Sequence, residues 1–147
     1  MDFLIITDNN LLLDTEWDNV RSFLGNLVQA IAEMRPESTP ALYTYSSTSE
    51  QVLPLSGTFH HYSAVHYIYE NVDVRSDTST DGIIDALKNA QQRLLSAIEM
   101  RLSHEATDGQ VVILFSHSDI ENSILDQTKE ILSWFMNAGV YVVAVSK

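Results

Sequence analysis

Cysteine is absent from this chain of 147 residues. Its absence excludes disulfide bridges, zinc–thiolate sites, iron–sulfur clusters and thiol nucleophiles. Basic residues are scarce as well, because 8 Lys and Arg stand against 20 Asp and Glu, for a formal net charge of −12. Nucleic acids and anionic lipids both require clustered Lys and Arg, so the composition argues against either as a partner. No apolar run reaches the roughly 20 residues that span a bilayer.

Glycine is also rare, and its positions exclude several common active sites. The dinucleotide pattern Gly-x-Gly-x-x-Gly, the P-loop and the Gly-x-Ser-x-Gly turn of α/β-hydrolases are all missing. We therefore expect no nucleotide cofactor and no serine hydrolase of that type. The five glycines are Gly25, Gly57, Gly82, Gly109 and Gly139.

Hydrophobic periodicity predicts an α/β fold. Short apolar runs predict strands over 3–7, 41–46, 51–55, 111–115 and 140–145, and amphipathic segments predict helices over about 15–35, 59–69, 81–103 and 120–137. The alternation is typical of a doubly wound, mainly parallel sheet with helices on both faces, and 51–55 is expected as a short antiparallel edge strand. We expect one domain over 1–147. Its predicted core is Phe3, Ile5, Val20, Leu24, Leu27, Ile84, Leu87, Val112, Leu114, Ile131, Phe135 and Val142, with Trp17 and Phe23 also facing inward.

Polar residues follow three of the predicted strands, and in such a sheet ligands bind at that carboxyl edge. The segments are 8–12, the loop through Thr78, and 116–119. A phosphoacceptor at Asp8 is disfavoured because only Asp14 and Lys147 could assist it. A small α/β enzyme, in which Asp8 and His117 together act as a general base, stays open as an alternative.

The same three segments resemble the von Willebrand factor A family. The residues that carry the resemblance are Asp8-x-Asn10-x-Leu12, Thr78-Ser79-Thr80 and Ser116-His117-Ser118. The predicted helix over 17–28 and the predicted strand over 139–145 are also similar to those of extracellular-matrix A modules of the collagen VI and matrilin type. The resemblance implies an A-type α/β fold, and it implies that a last strand and helix are lacking after Lys147, as if the domain were truncated there.

The resemblance also implies a vestigial metal-ion-dependent adhesion site. The residues at matching positions are Asp8, Asn10 and Thr78, whereas Leu12 stands in place of a serine and His117 in place of an aspartate. These changes remove two oxygen ligands that Mg²⁺ and Ca²⁺ prefer. We therefore predict no bound cofactor, with at most weak binding of Mg²⁺ or Ca²⁺, and partner binding that persists in EDTA.

The predicted function is a non-catalytic protein-interaction and adhesion module whose partner is another protein. An exposed sheet edge would also permit self-association. The matrix-type helix favours an extracellular location. The first residues carry no basic segment of a signal peptide, and an intracellular scaffold in a multiprotein complex is the alternative.

Overall fold

Strands and helices alternate along the chain in the computed structural model. The residues that it describes are 2–8, 14–34, 39–46, 48–53, 80–102, 109–116 and 120–146, together with His66, Ile68 and Glu70. Those three single residues are helical. The elements are β1 (Asp2–Asp8), α1 (Asp14–Met34), β2 (Thr39–Tyr45), β3 (Ser49–Leu53), α2 (Gly82–Leu102), β4 (Gln110–Ser116), α3 (Asn122–Asn137) and β5 (Tyr141–Ser146). None of these helices has the length and hydropathy of a membrane span.

The five strands form one sheet in the order β3-β2-β1-β4-β5. β1 runs parallel to both β2 and β4, and β4 runs parallel to β5. Only β3 is antiparallel, on the outer side of β2. The predicted fold class is therefore confirmed, including the antiparallel edge strand, although β3 begins and ends two residues before the predicted 51–55.

Each face of the sheet is covered by its own hydrophobic cluster. Alternate residues of a strand point to opposite faces, so Leu4 and Ile6 pack with α2 and α3, whereas Phe3 and Ile5 pack with α1. β1 is apolar on both faces because it lies at the centre of a sheet covered on both sides. Most of the predicted core is buried, and Val20, Leu27 and Val142 are half-buried at its margins.

Phe23 departs from the prediction, because it is 50% exposed. Its ring contacts Phe115 edge-on, with centroids 5.4 Å apart. In the sheet, Phe115 pairs with Val145 of β5, and the side chain of Val145 is also exposed. Phe23 thus lies at the rim of the α1 layer and not under it. The side chain of Trp17 lies outside the described part of the chain.

The turn between α3 and β5 depends on Gly139, which has a φ of 80°. Glycine adopts this left-handed conformation without the penalty that a Cβ brings. Its N–H donates to the carbonyl of Met136, and the N–H of Val140 donates to the carbonyl of Phe135. These bonds end α3 and direct the chain into β5.

Candidate functional site

Three polar side chains form a row across the carboxyl edge of the sheet. Asp8 ends β1 and pairs in register with Tyr45, which ends β2. On the other side of β1, Thr7 pairs with Phe115, which places Ser116 next to Asp8 on the same face. Asp8 and Tyr45 are both completely buried. The row therefore brings one carboxylate and two hydroxyls together beneath the starts of α2 and α3.

The start of α2 is held under the turn between β2 and β3. The N–H of Gly82 donates to the carbonyl of Ser46 at 2.8 Å, and the N–H of Ser46 donates to the carbonyl of Thr48 at 2.9 Å. A Cβ on Gly82 would lie 2.5 Å from the carbonyl carbon of Thr48. Only glycine allows this approach of two backbones.

Thr80 joins the starts of two helices. It is buried, and its hydroxyl oxygen accepts a hydrogen bond from the N–H of Glu121 at 3.4 Å. Its carbonyl accepts from the N–H of Ile83, which opens α2. The carboxyl edge is therefore shaped by contacts between segments that are far apart in the sequence.

The hydroxyl of Tyr45 is held in its neutral form. Burial raises the pKa of Tyr45 well above its ordinary value; the neighbouring Ser116 hydroxyl opposes the rise and the Asp8 carboxylate adds to it. The geometry between Tyr45 and Ser116 falls short of a regular hydrogen bond. Burial also raises the pKa of Tyr43, against an opposing effect of Arg93. Neither phenol can serve as a base near neutral pH.

We expect this burial to make the protein sensitive to alkali. A raised pKa means that the unfolded chain loses the tyrosine proton first, so stability falls as pH rises past about 10, by up to about 1.4 kcal/mol per pH unit for each tyrosine. Tyr45→Phe should make this decline less steep. Urea unfolding of Tyr45→Phe and of the wild type between pH 9 and about 11 measures the two slopes, and equal slopes would contradict the prediction.

A groove opens beside the polar row, between α3 and the ends of β4 and β5. Its volume is about 760 Å³, within the range of pockets that enclose small ligands or anchor side chains. Leu125 and Leu132 of α3 line it with Ala144 of β5, and Ser116 and Glu121 stand at the side of the polar row. The lining is mainly apolar, and Lys129 contributes a positively charged side chain to it. A smaller cavity of about 190 Å³ lies on the other face beside Phe23 and Phe115.

Of the sequence-predicted site residues, the structure places Asp8 at the carboxyl edge as expected. Asn10, Leu12, Thr78 and His117 lie outside the described residues, so their clustering with Asp8 stays a prediction. Sequence reasoning missed Tyr45, whose position next to Asp8 follows only from the register between β1 and β2.

The described part of the site does not fit a divalent cation. Ca²⁺ takes about six to eight oxygen ligands, and Mg²⁺ keeps several waters while it is bound through one or two carboxylates. Here Asp8 is the carboxylate of the row, Tyr45 is a neutral phenol, and the Thr80 hydroxyl already accepts from Glu121. Among the residues that the structure describes, no three His, Cys, Asp or Glu side chains converge.

We predict that titration with millimolar Mg²⁺, Mn²⁺ or Ca²⁺ gives no saturable heat in calorimetry. Mg²⁺ gives up its waters reluctantly, and the completely buried Asp8 offers a single carboxylate in exchange. Asp8→Asn and Asp8→Ala serve as matched variants, and both should behave like the wild type. One-to-one binding that either variant abolishes would show instead that the edge still holds a metal ion.

Comparison with known proteins shows the fold of this chain. No family model matches the chain, and no curated protein matches it. Among solved structures, proximal thread matrix protein 1 from the mussel byssus, with a zinc-occupied MIDAS motif, matches with a TM-score of 0.75 and 16% identity over 99% of this chain. The present chain covers 35% of that protein, so it spans about a third of its length.

Two further structures share the fold. The N-terminal domain of TFIIH p34 matches with a TM-score of 0.75 and 15% identity, over 99% of this chain and 79% of that one. The manganese-loaded TRAP protein of Plasmodium vivax matches with a TM-score of 0.69 and 16% identity, over 99% of this chain and 56% of that one. The predicted family resemblance is confirmed at the level of the fold.

Proposed function

We propose that this chain, whose fold is that of the von Willebrand factor A domains, is a non-catalytic module that binds another protein at the carboxyl edge of its sheet. The observation that carries the proposal is the groove of about 760 Å³ beside the polar row. Open α/β sheets bind their ligands at this edge. An apolar groove with a few polar groups at its side suits an anchor side chain of a partner.

The described residues also favour binding over catalysis. A catalytic nucleophile and its base have to be reached by the substrate, and Asp8 and Tyr45 are both completely buried. The alternative enzyme would use Asp8 with His117. A hydrolase screen of the wild type and His117→Ala tests it, and an activity lost in His117→Ala would contradict the binding module.

A peptide library displayed on phage provides a direct test of binding. Selection on the immobilised chain in EDTA should enrich peptides that share a large apolar residue, because the groove is lined by Leu125 and Leu132. We expect Leu125→Glu to weaken an enriched peptide about tenfold or more, since the carboxylate would be buried on binding. Titration calorimetry with the synthetic peptide measures the loss.

Gln127→Glu is the matched control for this test. It adds the same charge to the same helix at an exposed position that does not line the groove, so peptide affinity should change little. Equal melting temperatures would show that both variants are folded. Failure to enrich any sequence, binding that requires Mg²⁺, or equal effects of the two variants would each contradict the proposal.

For the setting of this module, we propose adhesion in an extracellular matrix. The structural likeness to a byssus thread matrix protein supports it, together with the matrix-type pattern of residues 17–28. An intracellular scaffold is the second candidate, because the TFIIH p34 domain matches with the same TM-score of 0.75. Locating the endogenous protein with antibody, inside or outside intact cells, separates the two.

A further inference from the structure

The two edges of the sheet differ in how they are protected against pairing with another chain. β3 carries the charged Glu50, and its pairing with β2 shifts register between Leu42 and Tyr43. Charges and irregular pairing are common ways of blocking an edge. β5, at the opposite edge, has the sequence Tyr-Val-Val-Ala-Val-Ser, with no charge and no proline, and it pairs with β4 in unbroken register. Among the described strands, nothing pairs with its outer side.

β5 also exposes apolar side chains at every second position. Tyr141 is 73% exposed, Val143 47% and Val145 45%. All three lie on the α1 face, because they pair in register with Val111, Ile113 and Phe115 of the cluster beneath α1. A strand that joined this edge with apolar side chains on the same face would remove them from water. β5 is itself such a strand.

We propose that β5 pairs antiparallel with β5 of a second copy, about a two-fold axis that passes through Val143. In this register Val143 faces its own counterpart, and Tyr141 faces Val145 of the other copy. Residues an even number of positions apart point to the same face, so the apolar side chains of both copies meet on one side. An aromatic opposite a β-branched residue is a favourable cross-strand pair. The two sheets then form one sheet of ten strands.

The absence of charge on β5 favours a second copy over a charged partner at this edge. β5 has no charged residue, so the contact itself brings no like charges together and offers no attraction to a basic peptide. Each whole chain nevertheless carries −12, and the two copies repel at long range. Salt screens this repulsion, with a Debye length that falls from about 10 Å at 0.1 M to about 3 Å at 1 M. Self-association should therefore strengthen with salt, whereas binding of a basic partner would weaken.

Sedimentation of the chain over residues 1–147 tests the pairing. We expect a species of twice the 16.5 kDa chain mass, with a dimer Kd that falls several-fold between about 0.1 M and 1 M salt. Val143→Lys should raise the Kd about tenfold or more, because it places two lysines directly opposite each other across the two-fold axis and removes the contact between the two valines. The Kd should rise even though the added lysine makes the net charge of each copy less negative. Gln92→Lys makes the same charge change at an exposed position of α2, and it should leave the dimer intact.

Single cysteines in this cysteine-free chain test the register, and they do so even if Val143→Lys fails to fold. Directly opposite residues of antiparallel strands have Cα atoms about 4.5 to 5.5 Å apart, a distance that a disulfide spans. Val143→Cys should therefore form a covalent dimer under a mild oxidant such as diamide, and Tyr141→Cys should not. A wild type that stays monomeric at every salt concentration would overturn the proposal. So would a dimer that Val143→Lys leaves unchanged, or equal cross-linking of the two cysteine variants.

Discussion

Gly82→Ala is expected to lower the free energy of unfolding by about 3 kcal/mol. The new Cβ would stand 2.5 Å from the carbonyl carbon and oxygen of Thr48 and 2.8 Å from the carbonyl oxygen of Ser46. These are backbone atoms, so no side-chain rotation relieves the overlap. The start of α2 would have to move, which would also weaken the hydrogen bond from Gly82 to Ser46. Urea denaturation followed by circular dichroism measures the loss.

Gly109→Ala provides the control for this substitution. A Cβ on Gly109 would have no atom of the described residues within 4 Å, and the carbonyl of residue 109 would still accept from the N–H of Asp2. Its effect should stay within about 0.5 kcal/mol. If the two alanine variants proved equally stable, the close approach of α2 to the β2–β3 turn would not exist as described.

Phe135→Ala should have an effect of similar or larger size, about 3 to 5 kcal/mol. Phe135 is completely buried in the cluster between the sheet and helices α2 and α3, and its ring contacts Trp134 edge-on at 5.4 Å. Truncation leaves a cavity that rigid neighbours fill only in part. The melting temperature and the urea midpoint should both fall.

Met136→Ala tests whether the effect belongs to burial. Met136 is the next residue of α3, and its side chain is 56% exposed. We expect its replacement to change stability by less than about 0.5 kcal/mol. A large effect at Met136, or a small one at Phe135, would mean that α3 packs through another face.

The sequence predicted the sheet well because its strands are apolar in a simple way. β1, β4 and β5 read as short apolar runs that end at polar turns, and the structure places them within a residue or two of the predicted bounds. The prediction that Phe23 faces inward was wrong for a physical reason. Its helical spacing indicates the inner face of α1, but periodicity does not reveal how far the α1 layer extends over the sheet.

The candidate site was less predictable, because it depends on register. Asp8 could be placed from the end of its own strand. Tyr45 could not, since a tyrosine in a strand is ordinarily a surface or interface residue, and its burial beside Asp8 requires knowing that β2 pairs with β1 in parallel. The contact between Thr80 and Glu121 joins residues 41 positions apart, which no local pattern encodes. Gly82 likewise matters only through the backbone that it touches.

The order of the strands has a consequence for how the chain is made. β1 lies at the centre of the sheet, yet its neighbour β4 follows more than one hundred positions later, as Asp2 pairs with Gln110. At a synthesis rate of about 5 to 20 residues per second, β4 emerges from the ribosome about 5 to 20 seconds after β1. During this interval β1 is an apolar strand with an open side. Its apolar side chains are then open to aggregation, and the centre of the sheet forms only after β4 has been synthesised.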